Sequence, residues 1–194
     1  MDTRTIFFVG KPGCGKGTQA KLLAERTGWP VFSSGKQFRA MAAEETPVGK
    51  KLKLENDAGL LQPHWFAMYL YLKSLFSLPE GASAIFDGFN RKIQETELIV
   101  SSMAWLNRPF TVIHIVVSDT SVRERLEKRK GIEGRIDDNV VEERLKEYEA
   151  HTVPALQIFK KIGSVIEVNG EQEPGKIAED IRVALGIFGG VAST

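Results

Sequence analysis

Apolar residues fall along this chain in two alternating rhythms. Short, almost unbroken apolar runs occur at Thr5–Val9, Val31–Ser33, Ala84–Asp87, Thr111–Val117 and Val165–Val168. Runs of this length, rich in Val, Ile and Phe and closed by Gly, Ser, Asp or Asn, predict strands buried on both faces. Between them apolar positions recur with helical spacing, at Lys16–Arg26, Lys36–Glu45, Trp65–Phe76, Glu95–Leu106, Ser121–Lys130, Val140–Ile162 and Gly175–Leu185. Strands alternating with helices predict an α/β fold around a parallel five-stranded sheet.

Two connections depart from that rhythm. Gly35–Ser83 is too long for one crossover helix and predicts a small helical insert. Arg129–Asn139 is short and rich in charge and glycine, and reads as a second insert. Asp138 or Asn139 is placed to cap the helix that begins near Val140. Trp65, Phe66, Tyr69, Leu70 and Leu72 share a helical pattern that reads as core. The small, polar segment Gly189–Thr194 reads as a frayed tail.

Composition narrows the class without naming it. A chain of 194 residues, 42% hydrophobic and 26% charged, fits one soluble domain. Its net charge of +1 gives no bulk electrostatic case for a nucleic-acid or membrane partner. One cysteine, Cys14, allows no internal disulfide and suits a reducing compartment. The N-terminus runs from Met1 straight into a short apolar strand without a signal-peptide pattern, so a cytoplasmic location is expected. His64, His114 and His151 show no ligand spacing, and no structural zinc is expected. Nothing demands an oligomer, and a monomer is expected.

The chemistry begins at Gly10-Lys11-Pro12-Gly13-Cys14-Gly15-Lys16-Gly17-Thr18. A glycine loop between a buried strand and a helix can turn several N–H groups onto phosphate oxygens. The helix start favours anions, a lysine there neutralises the β and γ phosphates, and a hydroxyl can hold Mg²⁺. The hydroxyl normally follows the lysine directly. Here Gly17 takes that place and Thr18 supplies the hydroxyl one residue later. Cys14, within the loop, is either a reactive thiol or a small filler.

That shifted loop, Gly15-Lys16-Gly17-Thr18-Gln19 after Pro12-Gly13, resembles the adenylate kinases and their UMP/CMP kinase relatives. Further segments follow in the family's order. Ser33-Ser34-Gly35-Lys36-Gln37-Phe38-Arg39 resembles the family's Ser-Thr-Gly-Asp-x-Leu-Arg, and Asp87-Gly88-Phe89-Asn90-Arg91 resembles Asp-Gly-Phe-Pro-Arg. Gly134-Arg135-Ile136-Asp137-Asp138 resembles the lid segment. Arg144-Leu145, Tyr148, Thr152 and Pro154 resemble the helix that follows it, and Val168-Asn169-Gly170 the turn after the last strand.

The resemblance implies a single P-loop kinase domain over residues 1–194, with a helical monophosphate-binding insert at about 34–64 and a short lid at about 129–139. It implies Mg²⁺-dependent transfer of the ATP γ-phosphoryl group to a nucleoside monophosphate, AMP foremost. The alternatives are a UMP/CMP or broad monophosphate kinase, and a weakly active nucleotide-binding regulatory module. It assigns ATP to Gly13, Cys14, Gly15, Lys16, Gly17, Thr18, Arg125, Arg129, Gly170 and Gln172. It assigns the monophosphate to Ser34, Gly35, Arg39, Leu61, Gln62, Gly88, Arg91, Gln94, Glu95, Arg135 and Arg144. Lys16, Arg91, Arg129, Arg135 and Arg144 are its catalytic candidates, and Thr18 and Asp87 its Mg²⁺ candidates, Asp87 through water. Read without the resemblance, Arg125 and Arg129 lie in a charged run typical of a solvated helix face.

Five positions depart from the family pattern. Lys36 replaces an acidic residue and Asn90 a proline. At the acceptor base, Gln94 sits one place early, Glu95 holds the position expected of the base-reading glutamine, and Gln62 replaces an apolar residue. Any of Gln62, Gln94 and Glu95 is therefore a candidate reader of the base, and AMP need not be the sole acceptor.

Overall fold

The computed structural model describes residues 3–133 and 139–188. Five parallel strands, β1 (Thr5–Val9), β2 (Val31–Ser33), β3 (Ala84–Asp87), β4 (Phe110–Val116) and β5 (Val165–Asn169), form one sheet in the order β2-β3-β1-β4-β5. β1 is central. It pairs with β3 in the register Phe7↔Phe86 and with β4 in the register Phe7↔Val112. The chain builds β2 and β3 on one side of β1 and then crosses to β4 on the other. That reversal opens a crevice beyond the carboxyl end of β1, where ligands bind in open α/β sheets.

Both faces of the sheet are covered, which is why its strands read as continuous apolar runs. Ile6 and Phe8 point into one core with Ile113, Ile115, Leu23 and Ile181. Phe7 and Val9 point into the other with Phe86, Tyr71, Met103 and Phe159. In the second core Phe7 stacks on Phe86 at 5.2 Å and Phe86 on Phe32 at 5.2 Å. These rings tie β1, β3 and β2 together beneath the crevice.

The helices are α1 (Lys16–Thr27), α2 (Ser34–Ala42), α3 (Pro47–Asp57), α4 (His64–Phe76), α5 (Ile93–Trp105), α6 (Asp119–Glu133), α7 (Val141–Glu147), α8 (Val153–Lys161) and α9 (Pro174–Ala184). The insert between β2 and β3 holds α2, α3 and α4. The helix expected at Lys36–Glu45 is shorter, and α3 follows as a separate element. Thr46 starts α3 by accepting a hydrogen bond from Gly49 N at 2.9 Å, with Pro47 in the first turn. Gly49 permits the join, because a Cβ there would lie 2.2 Å from Glu44 O.

The long helix expected over Val140–Ile162 is three segments. A π-helical turn, Tyr148–Thr152, separates α7 from α8. Val140, without a side-chain cap, precedes α7, so Asn139 is no cap; Asp138 lies outside the described residues. On α4, Phe66 and Leu70 are core, but Trp65 and Tyr69 are 64% and 55% exposed. A helix that is apolar all round does not declare its buried face, and these two aromatics turn to solvent. Among the described residues no helix is long and apolar enough to cross a membrane.

Candidate functional site

A cavity of about 1180 Å³ lies at the carboxyl edge of the sheet. One wall is the glycine loop between β1 and α1, with Gly13, Gly15, Lys16, Gly17 and Thr18 facing the space. Gly13 has φ 74°, and a Cβ there would lie 2.9 Å from the Leu126 side chain, so the loop passes too close to α6 for any other residue. No side chain caps α1 at Gly15. The N–H groups of its first turn are thereby left for an anion.

Lys16 is folded back into the loop. Its ammonium donates to Gly10 O at 2.6 Å and Lys11 O at 2.7 Å, with Cys14 Sγ at 3.4 Å. A cation held on carbonyl oxygens over a ring of N–H groups is placed to exchange those partners for phosphate. Cys14 itself is fully buried and packs in the core, away from the cavity wall.

Asp87 ends β3 and faces the same wall. Its Oδ2 accepts a hydrogen bond from Ser33 Oγ at 3.1 Å and lies 3.8 Å from the position of a Cβ on Gly17. Asp87, at the end of β3, and Thr18, in the first turn of α1, both line the cavity.

Arginines come from four elements. Arg39 of α2, Arg91 after β3, Arg125 and Arg129 of α6, and Arg144 of α7 all line the cavity. Arg125 donates to Gly170 O at 2.7 Å and so joins α6 to the turn after β5. Arg91 lies against Gly88, where a Cβ would come 2.7 Å from its guanidinium. Thr152 Oγ1 donates to Arg91 O at 3.1 Å, linking the π-helical turn to the Arg91 loop. Arg123 and Glu142 form a two-pronged ion pair, at 2.7 and 3.0 Å, between α6 and α7. Arg135 lies outside the described residues.

Gly35, Leu61, Gln62, Gly88 and Glu95 are on the opposite wall. Ser34 is just behind it, its hydroxyl donating to Gly88 O at 2.6 Å. Gln94 is exposed and off the wall. Gly170 and Gln172 also lie off it; Gln172 donates to Asn169 O at 3.1 Å and Asp180 at 2.8 Å. The cavity thus gathers most of the sequence-derived residues, but Cys14, Ser34, Gln94, Gly170 and Gln172 stand outside its surface.

Glu95 is 3% exposed. It is the third residue of α5, and its carboxylate accepts from Arg91 N at 2.7 Å and Lys92 N at 3.3 Å. Burial pushes its pKa up to about 7, against the pull of those N–H groups and of the Arg91 and Lys92 charges.

Tyr148, also on the wall, meets His114 Nε2 at 3.2 Å, while His114 Nδ1 meets Glu167 at 3.2 Å. Burial lowers the His114 pKa and raises that of Tyr148. A neutral imidazole therefore ties the π-helical turn to β4.

Sequence reasoning missed Asn56 and Glu147 on the wall, and Lys92 behind it. Glu147 accepts from Leu61 N at 3.1 Å, and Lys92 donates to Gln62 O at 2.9 Å. No motif marks these positions. Asn56 comes with α3, whose Thr46-Pro47 start was the readable signal.

Comparison with known proteins bears on the same residues. The family model described as Adenylate kinase matches residues 8–164. An adenylate kinase of Maricaulis maris is 34% identical over 185 residues, 93% of this chain and 97% of that protein. That of Caulobacter sp. is 32% identical over 185 residues, 94% and 98% of the two chains. That of Thermus thermophilus is 32% identical over 187 residues, 95% and 98%.

Proposed function

The chain belongs to the adenylate kinase family, an enzyme family of nucleoside monophosphate kinases, and from that premise we propose that it moves the γ-phosphoryl group of Mg-ATP to AMP, giving two ADP. The observation that carries this reading is one cavity lined by a phosphate loop with Lys16 on one side and by Arg39, Arg91, Arg125, Arg129 and Arg144 around the rest. A module that only bound ATP would need cations on one phosphate chain. Arginines from α2, α6, α7 and the Arg91 loop suit two chains held end to end.

In the reaction an oxygen of the acceptor phosphate forms a bond to the γ phosphorus while the bond from that phosphorus to the β–γ bridging oxygen breaks. The electron pair leaves with ADP. Little covalent help is required of the protein; alignment and charge stabilisation do the work. The loop N–H groups and Lys16 hold the β and γ phosphates of the donor. Arg39 and Arg91 hold the acceptor phosphate. Arg129 and Arg144, joined by Arg135 of the lid, stabilise charge on the phosphoryl group in flight. Guanidinium forks suit this because they match phosphate oxygens in pairs. Arg125 sits over the donor nucleoside, beside Gly170 and Gln172.

Thr18 and Asp87 fit a magnesium ion. They are hard oxygen donors, few in number, at the edge where the donor phosphates end, and Mg²⁺ keeps most of its shell as water and phosphate oxygen. When bound, the ion supplies neutralisation of phosphate charge. Residues at about 34–64 and 129–139 close over both nucleotides and exclude water. On the same reading the protein works as a cytoplasmic monomer on free nucleotides, without nucleic-acid or membrane partners.

A broader acceptor range is favoured by one observation. Glu95 stands where the family resemblance leads one to expect a base-reading glutamine, and its carboxylate is engaged in capping α5. The test of the main reading is Lys16→Met. The variant should fold normally and lose about 10³-fold or more of its turnover in a coupled assay of ADP formation. Near-normal turnover would overturn the role of Lys16.

A further inference from the structure

The acceptor wall contains buried polar atoms that nothing in the protein satisfies. Gln62 is 6% exposed. Its Nε2 donates to Asn56 Oδ1 at 3.1 Å. The remaining halves of both amides, Gln62 Oε1 and Asn56 Nδ2, are buried without a hydrogen-bond partner among the described residues. Leaving such a group unmade costs about 1–3 kcal/mol. Both residues line the cavity, and a ligand's polar edge that reached these atoms would restore the balance.

Gln62, Gln94 and Glu95 are the sequence candidates for reading the acceptor base. The structure separates them. Gln94 is exposed and off the wall. Glu95 is committed to the start of α5. Gln62 alone among them combines a place on the wall with an unmet acceptor, and α3 brings Asn56 to it with an unmet donor.

Two amides joined by one hydrogen bond have two arrangements. In one, Gln62 donates to Asn56, which leaves an acceptor on Gln62 and a donor on Asn56. If both amides turn over, Asn56 donates to Gln62, leaving a donor on Gln62 and an acceptor on Asn56. The bond within the pair survives either way, so turning over costs little. A 6-aminopurine presents an amino donor beside a ring-nitrogen acceptor, and a 6-oxopurine presents the reverse. Each arrangement matches one of these edges in a single pose of the base.

We infer that Asn56 and Gln62 read the pairing edge of the acceptor base as a two-state amide pair, and that the site therefore accepts both 6-amino- and 6-oxopurine monophosphates. The inference rests on the kinase reading above and goes beyond it in naming the acceptor class. Had a fixed donor and acceptor been built here, the wrong edge would meet two unpaired groups and be rejected strongly. The amide pair removes that penalty.

The test is steady-state phosphoryl transfer from Mg-ATP to AMP and to IMP, with the wild type, Gln62→Glu and Gln62→Leu. For the wild type, kcat/KM for AMP and IMP should fall within about tenfold of each other. An ionised glutamate only accepts, so Asn56 must turn its amide over to donate to it; the pair then presents two acceptors, which neither edge matches, and Gln62→Glu should raise KM at least tenfold for both AMP and IMP with kcat little changed. Gln62→Leu should raise KM for both and bring their ratio close to that of the wild type. Thermal shifts with each monophosphate alone give the same ranking as a binding measurement independent of turnover and report whether the variants are folded. Wild-type rejection of IMP by more than about 10³-fold, or a KM for both monophosphates untouched by Gln62→Glu, overturns the inference while leaving the kinase reading intact. Absence of transfer to every monophosphate in the wild type overturns both.

Discussion

Replacing Glu95 by glutamine should stabilise the protein above neutral pH and leave its stability in mild acid almost unchanged. The carboxyl is 3% exposed, and burial lifts its pKa from 4.5 to about 7. Below about pH 4.5 the group is neutral in both folded and unfolded chains, and its burial carries no charge penalty. Between about 4.5 and 7 the unfolded chain releases the proton while the folded chain keeps it. The folded state then binds more protons, so stability falls as pH rises. Above about 7 both states are ionised and the penalty is complete. A rise from 4.5 to about 7, at about 1.4 kcal/mol per unit, corresponds to about 3 kcal/mol. Glutamine keeps an oxygen for Arg91 N and Lys92 N, which Glu95 now holds at 2.7 and 3.3 Å. A neutral acceptor gives weaker bonds than a carboxylate, at a cost of about 1 kcal/mol. The net gain expected above pH 8 is therefore about 2 kcal/mol. Urea unfolding of both proteins at intervals from pH 5 to 9 measures it. The difference between them isolates Glu95 from the other titrating carboxylates. It should grow between pH 5 and 7 and then level off. A difference independent of pH, or one of opposite slope, would refute the assignment of a charge penalty to this buried carboxyl.

Two further substitutions probe the frame around the cavity. Thr46→Ala removes the oxygen that accepts from Gly49 N at 2.9 Å and should cost about 1 kcal/mol in urea unfolding; an unchanged midpoint would mean the α3 cap contributes nothing. Gly13→Ala forces a side chain into φ 74° with its Cβ 2.9 Å from Leu126, and should cost about 1–3 kcal/mol and raise the KM for ATP; a loop that absorbs the methyl without either change would refute the close-approach argument.

Much of the fold was legible because the sheet is buried on both faces. Such strands need no alternation to be seen, and the runs at Thr5–Val9, Val31–Ser33 and Ala84–Asp87 coincide with β1, β2 and β3. What periodicity could not resolve was geometry that leaves the apolar spacing intact. The π-helical turn at Tyr148–Thr152 adds a residue inside a helix without altering its composition. The α3 helix buries little beyond Gly49 and Leu52, so it lacks an apolar stripe and the pattern does not separate it from the rest of the helical insert expected over Gly35–Ser83. That omission hid Asn56.

The site divides along the same line. Glycine spacing in the phosphate loop is dictated by backbone geometry, and backbone demands survive in sequence as residue types at fixed distances. Base recognition depends on where a side chain turns after its helix has begun. Gln94 and Glu95 are adjacent in sequence, yet α5 begins at Ile93 and sends the first to solvent and the second back onto its own N-terminus. The family resemblance leaves both as candidate readers of the base. A glutamate two residues beyond the start of a helix already carries a competing explanation, the capping of that helix. Where a local hydrogen bond and a distant ligand compete for one carboxylate, the local bond is formed whenever the helix is, and the ligand contact passes to residues whose polar atoms have no local claim. Here those are Asn56 and Gln62.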